Sequence, residues 1–229
     1  MEKQLYFNWS SGKDSALALH QLLISGEYHV GQLLVSMNAH YNRVTMHGVQ
    51  RALLEKQLQT IAIPASTVEL PQQPTHEQYE QLMSATAGQM KLKGYDYAGF
   101  GDIFLEDLRQ YREQQLATIG IQSVFPLWGK NTRQLMNSFI EMGFKAITVC
   151  VDDTLLGANF LGRELDVDFL NELPAGVDPC GENGEFHTFC YYAPFFSSSV
   201  QFEKGEQKLE TYQYNGQQSA FRFLDLLPL

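Results

Sequence analysis

Positive charge, cysteine and long apolar runs are all scarce in this 229-residue chain. Sixteen Lys and Arg stand against 26 Asp and Glu, a formal net charge of −10, so the mean field repels polyanions. The densest basic run is "KLK" from Lys91 to Lys93, so charge disfavours tight binding of tRNA or DNA. Three cysteines, Cys150, Cys180 and Cys190, are an odd number at no metal-ligand spacing. That argues against a disulfide framework or a zinc site and fits reduced thiols in a cytoplasm. No apolar run approaches the roughly 20 residues that span a bilayer, and "LYFNW" near the start is too short to read as a signal peptide. The expectation is a soluble, cytoplasmic protein with no membrane partner. Charged residues at 18% against 44% hydrophobic ones make a globular composition rather than a disordered one.

What is present is an alternation of strand and helix patterns. Gln4 to Asn8 reads as a short buried strand, then a Ser/Gly turn, then Ala16, Leu19, Leu22 and Leu23 at helical spacing up to a stop at Ser25 and Gly26. The unit repeats. "GQLLVSM" (31–37) leads to a stripe of Val49, Leu53, Leu54, Leu58 and Ile61, and "STVEL" (66–70) to a polar helix over 75–94. "YDYAGFGDI" (95–103) leads to a helix through Leu105, Leu108 and Tyr111. "SVFPLW" (123–128) reads as a strand broken by Pro126, Asn131 and Gln134 have capping-box form, and "FKAITVCV" (144–151) is the most strand-like run. This order predicts an α/β fold with a doubly wound parallel sheet. Beyond Val151 the stripe is lost and the chain becomes aromatic-rich, so a second, smaller α+β domain is expected, with the division near Gly120: residues 1–120 and 121–229.

The turn "SSGKDS" from Ser10 to Ser15 carries the chemistry. In open α/β sheets ligands sit beyond the carboxyl ends of strands, where helix N-termini offer free N–H groups to anions. Small and hydroxyl side chains let a phosphate approach the backbone closely. Walker A is excluded, because Phe7 stands where its first Gly belongs and Asp14 where it needs Ser or Thr. From spacing alone a plain Ser/Gly-rich βα turn remains open.

The hexapeptide closely resembles the "SGGxDS" PP-loop of the N-type ATP pyrophosphatases, with Ser11 in place of the first of two glycines. "HGVQRALLEKQLQTIAIPASTVELP", "GFGDI", "YREQQ", "PLWGKNT", "GFKAITVCV", "FLGREL" and "DPCGENGEFHTF" stand in the order of the diphthine–ammonia ligase family, so the resemblance covers roughly residues 4 to 196. It implies a HUP-like fold, ATP and Mg²⁺ as cofactors, and a PP-loop of Ser10, Ser11, Gly12, Lys13, Asp14 and Ser15. Lys13 would neutralise phosphate and Asp14 would hold Mg²⁺ directly or through water. Ser36 and Met37 would flank the adenine, with His47, Gly101 and Arg112 as further nucleotide contacts and Asp102 reaching the metal or the attacking group. A Cys common in the family near Gln115 is absent.

In "DPCGENGEFHTF", Asn183-Gly184 between acids is a hairpin signal, and a strand after it puts Glu185, His187 and Phe189 on one face. Convergence of Glu182, Glu185 and His187 would be costly without a cation or a shared proton. The resemblance implies that this motif faces the acceptor, with Glu182 and Glu185 as catalytic acids and Glu182, Asn183, Glu185 and His187 as acceptor-binding residues. His187 stands where the diphthamide enzymes usually carry Glu, which weakens the fit to a trimethylammonium group. Cys180 and Cys190 read as small buried thiols. The resemblance implies an ATP-dependent ligase: a carboxylate is adenylated, pyrophosphate leaves, and ammonia or an amine displaces AMP. The expected acceptor is a carboxylate, with small molecules among the candidates, and a homodimer through the smaller domain is a candidate assembly. A nucleotide-binding sensor and a tRNA-modifying PP-loop enzyme are the alternatives.

Overall fold

The structure is a computed structural model that describes residues 2–214 and 217–229. Its first sheet is built around β1 (Lys3–Asn8), whose Leu5 and Phe7 point to one face and Tyr6 to the other. α1 (Lys13–Ser25) ends on Gly26 in the left-handed region and delivers the chain to β2 (Tyr28–Asn38) beside β1. A short antiparallel β3 (Arg43–Val44), α2 (Arg51–Ile61) and β4 (Ala65–Leu70) follow on that side. α3 (His76–Leu92) begins with a full capping box between Thr75 and Gln78. It carries the chain to the opposite side of β1, where β5 (Tyr97–Gly99), α4 (Glu106–Ala117) and β6 (Gln122–Val124) complete the layer.

The parallel strands therefore lie in the order β4-β2-β1-β5-β6. Helices cover both faces. Residues of α1 and α2 share a core with Leu5, Phe7, Leu33, Val35 and Met37, whereas Ala87 and Met90 of α3 and Leu116 of α4 pack with Tyr6, Leu34 and Ala98. The doubly wound sheet expected from the alternation is present, and its strand order reverses between β1 and β5. That reversal opens a crevice at the carboxyl ends of those two strands.

α5 (Thr132–Glu141), with Asn131 accepting from the Gln134 N–H, leads into a second sheet. It comprises β7 (Lys145–Asp152), β8 (Phe186–Tyr192), β9 (Phe202–Tyr214) and β10 (Gln217–Pro228), all antiparallel, in the order β8-β7-β10-β9. A short α6 (Val167–Glu172) lies between β7 and β8. One continuous buried cluster joins both sheets, running from Leu5 and Leu33 to Val149 and Phe189.

Three local readings differ. The strand over 95–103 closes at Gly99, because the chain leaves the sheet and Gly101 packs on the start of α1, where a Cβ would sit 3.1 Å from Ser15 N. The strand over 123–128 stops at Val124, two residues before Pro126, which has no N–H to donate. Asn183-Gly184 forms a turn but no hairpin. A loop precedes it, and β8 finds its partner in β7.

Candidate active site

The turn after β1 is fastened from behind by the second sheet. Ser11 adopts φ of +69°, a conformation that glycine takes freely and other residues only at a cost of about 1–3 kcal/mol. Neighbours hold it there. Its carbonyl accepts from Cys190 N at 2.9 Å and from Gln57 Nε2 at 3.0 Å. Gln57 also donates to Cys190 O at 2.6 Å and accepts from Trp9 Nε1 at 2.9 Å. The Ser11 hydroxyl is buried without a hydrogen-bond partner. Ser15 Oγ donates to Gly12 O at 2.9 Å and lies 3.1 Å from Ser10 Oγ. Lys13 N, the first amide of α1, donates to Thr188 Oγ1 at 3.0 Å. Thr188 O in turn accepts from His47 Nδ1 at 2.8 Å, which fixes the His47 proton on Nδ1. Gly12 fits under that ring so closely that a Cβ would lie 2.5 Å from His47 Cε1.

Charges converge in front of this turn. Lys13 Nζ lies 2.7 Å from Asp14 Oδ2 and 5.1 Å from the Phe186 ring centre. Burial pulls the Lys13 ammonium down, but Asp14 and Glu182 outweigh it and raise its pKa above the ordinary value. Burial raises the Asp14 carboxyl against the opposing pull of Lys13. Glu182 Oε1 accepts from Ile103 N at 2.7 Å. Burial first, then the like charges of Asp14 and Asp102, push the Glu182 carboxyl up to about 7, with the Ile103 bond and Lys13 opposing. Asp102 pairs with Arg112 Nη2 at 3.2 Å. Burial, with Lys13 nearby, brings His47 down to about 4 and His187 to about 3. Their ring centres are 5.0 Å apart, so two neutral imidazoles stand beside a buried ammonium.

These groups border a cavity of about 340 Å³ at the carboxyl ends of β1 and β5. Of the residues expected from the sequence, Ser10, Asp14, Ser15, Ser36, His47, Gly101, Asp102, Arg112, Glu182 and His187 line it. Ser11, Gly12 and Lys13 form the turn itself and are not in its wall. Met37 points into the core at 0% exposure, since strand alternation puts Ser36 on the cavity side.

Glu185 and Asn183 do not reach the cavity. Glu185 is 3% exposed and its carboxylate takes three donors of its own loop, each at 3.0 Å: Asp178 N, Asn183 N and Asn183 Nδ2. The expected convergence of Glu182, Glu185 and His187 is therefore met by Glu182 and His187 alone. Burial pushes the Cys180 and Cys190 thiols far up, so neither is a ready nucleophile. Sequence reasoning missed Asn8, Thr45, Tyr79, Met83 and Phe100 in the wall. It also missed Gln57 and Thr188 behind the turn, although Gln57 is legible as a polar residue inside the apolar stripe of α2. Among the described residues no three His, Cys, Asp or Glu side chains form a ready metal site, and no helix is long and apolar enough to cross a membrane.

Comparison with known proteins gives matches over both halves. The diphthamide synthase N-terminal domain matches residues 4–123 and the diphthamide synthase C-terminal domain residues 131–219. Diphthine–ammonia ligase of Danio rerio is 28% identical over 137 residues, 57% of this chain and 52% of the relative. The Bos taurus protein of the same name is 28% identical over 128 residues, 53% and 48%. The Homo sapiens protein is 27% identical over 128 residues, with the same coverage. The chain spans about half the length of the curated relatives it matches.

Proposed function

The chain belongs to the diphthamide synthase family, and from that premise we propose that it is an ATP-dependent amide ligase. A carboxylate acceptor attacks the α phosphorus of ATP, pyrophosphate leaves, and ammonia or an amine displaces AMP from the acyl-adenylate. The observation that carries this reading is the shared cavity. The wall of one 340 Å³ space holds Ser10 and Ser15 of the turn, Gly101 and Asp102 after β5, and Glu182 and His187 from the second half of the chain.

Each residue has a distinct task. Ser10 and Ser15 face the outer phosphates, Ser11 and Gly12 shape the turn that presents them, and the adenine lies toward Ser36 and His47. Lys13 stays protonated in its buried position and neutralises the charge that develops on pyrophosphate. Glu182, whose carboxyl burial holds above the ordinary range, takes the proton released when the amine attacks, as a general base in the cavity wall. His187, at about 3, is too weak a base for that step and serves as a neutral hydrogen-bonding wall. Magnesium fits the donor set. Asp14 and Asp102 repel Glu182, a cation between them relieves that repulsion, and this metal needs only one or two carboxylates when phosphates and water complete its shell. Asp14, with Asp102 beside it, would hold the ion, which supplies charge neutralisation on the phosphates.

The acceptor is proposed at the level of its reacting group, a carboxylate. The curated relatives carry diphthine and ammonia in their names, and His187 here replaces the acid usual in the diphthamide enzymes. The test is product analysis. Purified protein with ATP, Mg²⁺, ammonia and a panel of carboxylates should release AMP and pyrophosphate, and Asp14→Asn should abolish both. Release of ADP, or tight ATP binding with no turnover under any condition, defeats the ligase reading, the latter in favour of a sensor.

A further inference from the structure

A second cavity of about 50 Å³ opens from the first, between the sheet and the helix pair α3–α4. Tyr6, Tyr79, Met83, Ala87 and Leu116 contribute to its walls, and Arg112 borders both cavities. It is a gap in the smaller of the two cores, and no role assigned above uses it. We infer that it is a subsite for the acceptor, taking a short, uncharged aliphatic arm while Arg112 receives the carboxylate at the junction.

Charge fixes the orientation. The Arg112 guanidinium stacks on Phe100 at 4.4 Å and makes a single 3.2 Å contact to Asp102, while its Nε is buried with no partner. It is an under-satisfied cation, and guanidinium groups favour carboxylates. At the solvent-facing end of the wall, away from the junction, Glu80 is engaged by Gln115 Nε2 at 3.2 Å and His76 Nε2 at 3.3 Å. A carboxylate is repelled there, so the charged end stays at the junction, on the side of the nucleotide cavity. A cationic arm is disfavoured in turn, because the Arg112 guanidinium repels it at the junction and Met83, Ala87 and Leu116 offer an ammonium no hydrogen bond. Size sets the arm's length. A cavity of about 150 Å³ holds the six carbons of benzene, so 50 Å³ encloses about two of the arm's carbons and no aromatic ring.

This inference rests on the ligase reading for its claim that the ligand is the acceptor, but binding can be measured without turnover. The probes are acetate, isovalerate and glycine betaine, titrated by ligand-observed NMR into the free and the ATP-loaded protein. Isovalerate should bind at least tenfold more tightly than acetate, since about 0.8 kcal/mol accompanies each buried methylene. Ala87→Leu fills the gap and should remove that preference while leaving ATP affinity within twofold. Ala87→Gly, which enlarges it, should move the preference to a longer chain, and it keeps the test open if the leucine variant fails to fold. Equal binding of acetate and isovalerate, indifference to both variants, or tighter binding of glycine betaine overturns the subsite. If isovalerate binds as described but ATP does not, the ligase reading falls and the subsite stands. If AMP forms with other carboxylates while isovalerate does not bind, the reverse holds.

Discussion

Two glutamates three residues apart carry opposite expectations, and substituting each by glutamine separates them. Glu185 accepts three hydrogen bonds from its own loop. A glutamine can keep the two to Oε1, but its amide nitrogen then faces the Asn183 N–H, donor against donor. Hydrogen bonds to charged groups contribute about 1.5–3 kcal/mol and neutral ones about 0.5–1.5. Losing one and weakening two gives about 3 kcal/mol of destabilisation, which for a chain of this size is a fall of roughly 10 °C in Tm. Glu182 accepts a single bond, from Ile103 N, and a glutamine carbonyl replaces that acceptor. Glu182→Gln should unfold within about 1 kcal/mol of the parent yet lose AMP formation by roughly 100-fold or more, as expected for a missing base. The assays are urea unfolding and AMP release at one pH. A Glu185→Gln protein of parental stability and no activity would refute the assignment of Glu185 to loop structure.

Ser11→Gly should stabilise the protein by about 1 kcal/mol, since it removes a left-handed non-glycine residue and a buried unpartnered hydroxyl together; the urea midpoint reads this directly. Gly12→Ala drives a Cβ into His47 and should cost about 1–3 kcal/mol. In a His47→Ala background the penalty should fall, to the part set by Thr188 O, which a Cβ would meet at 3.1 Å. Stability should also vary with pH in a defined way. His47 and His187 have folded pKa values near 4 and 3, below the ordinary 6.5, so their contribution is complete above about 6.5 and is lost as pH falls toward 4. Glu182 has its folded value raised to about 7, and its contribution is lost as pH rises from about 4.5 to 7. Three lowered histidines, His20 among them, against the raised carboxyls of Glu182 and Asp14 leave unfolding free energy rising from pH 4.5 to 6.5. His187→Asn should flatten the profile and Glu182→Gln should steepen it.

Much of the architecture is legible in the sequence because its signals are local. The stop at Gly26, the Asn131 cap ahead of α5, and the short buried strand over Gln4 to Asn8 each fix a piece of backbone from adjacent residues alone. Contiguous motifs likewise point to the turn at 10–15 and to the acids after it. What local pattern cannot convey is which donors a side chain meets from elsewhere. Glu182 and Glu185 are the same residue type on the same short segment, and only the path of the 178–185 loop decides that one is consumed and the other faces the cavity. Ser36 and Met37 differ by one step of strand alternation, and the resemblance marks both. Thr188 and Gln57 escape notice because their partners, Lys13 and Ser11, lie 175 and 46 residues away.

That long-range fastening has a consequence for anyone who cuts the chain. A fragment ending after β6 would retain every letter of "SSGKDS", yet Ser11 O would lose Cys190, Gln57 would lose one acceptor, and Lys13 N would lose Thr188. Only Gln57 would then hold serine in a glycine-like bend, and the excised half should relax toward an ordinary turn with a weakened grip on nucleotide. The motif is written near the amino terminus, but its geometry is enforced from a strand that the ribosome adds some 175 residues later.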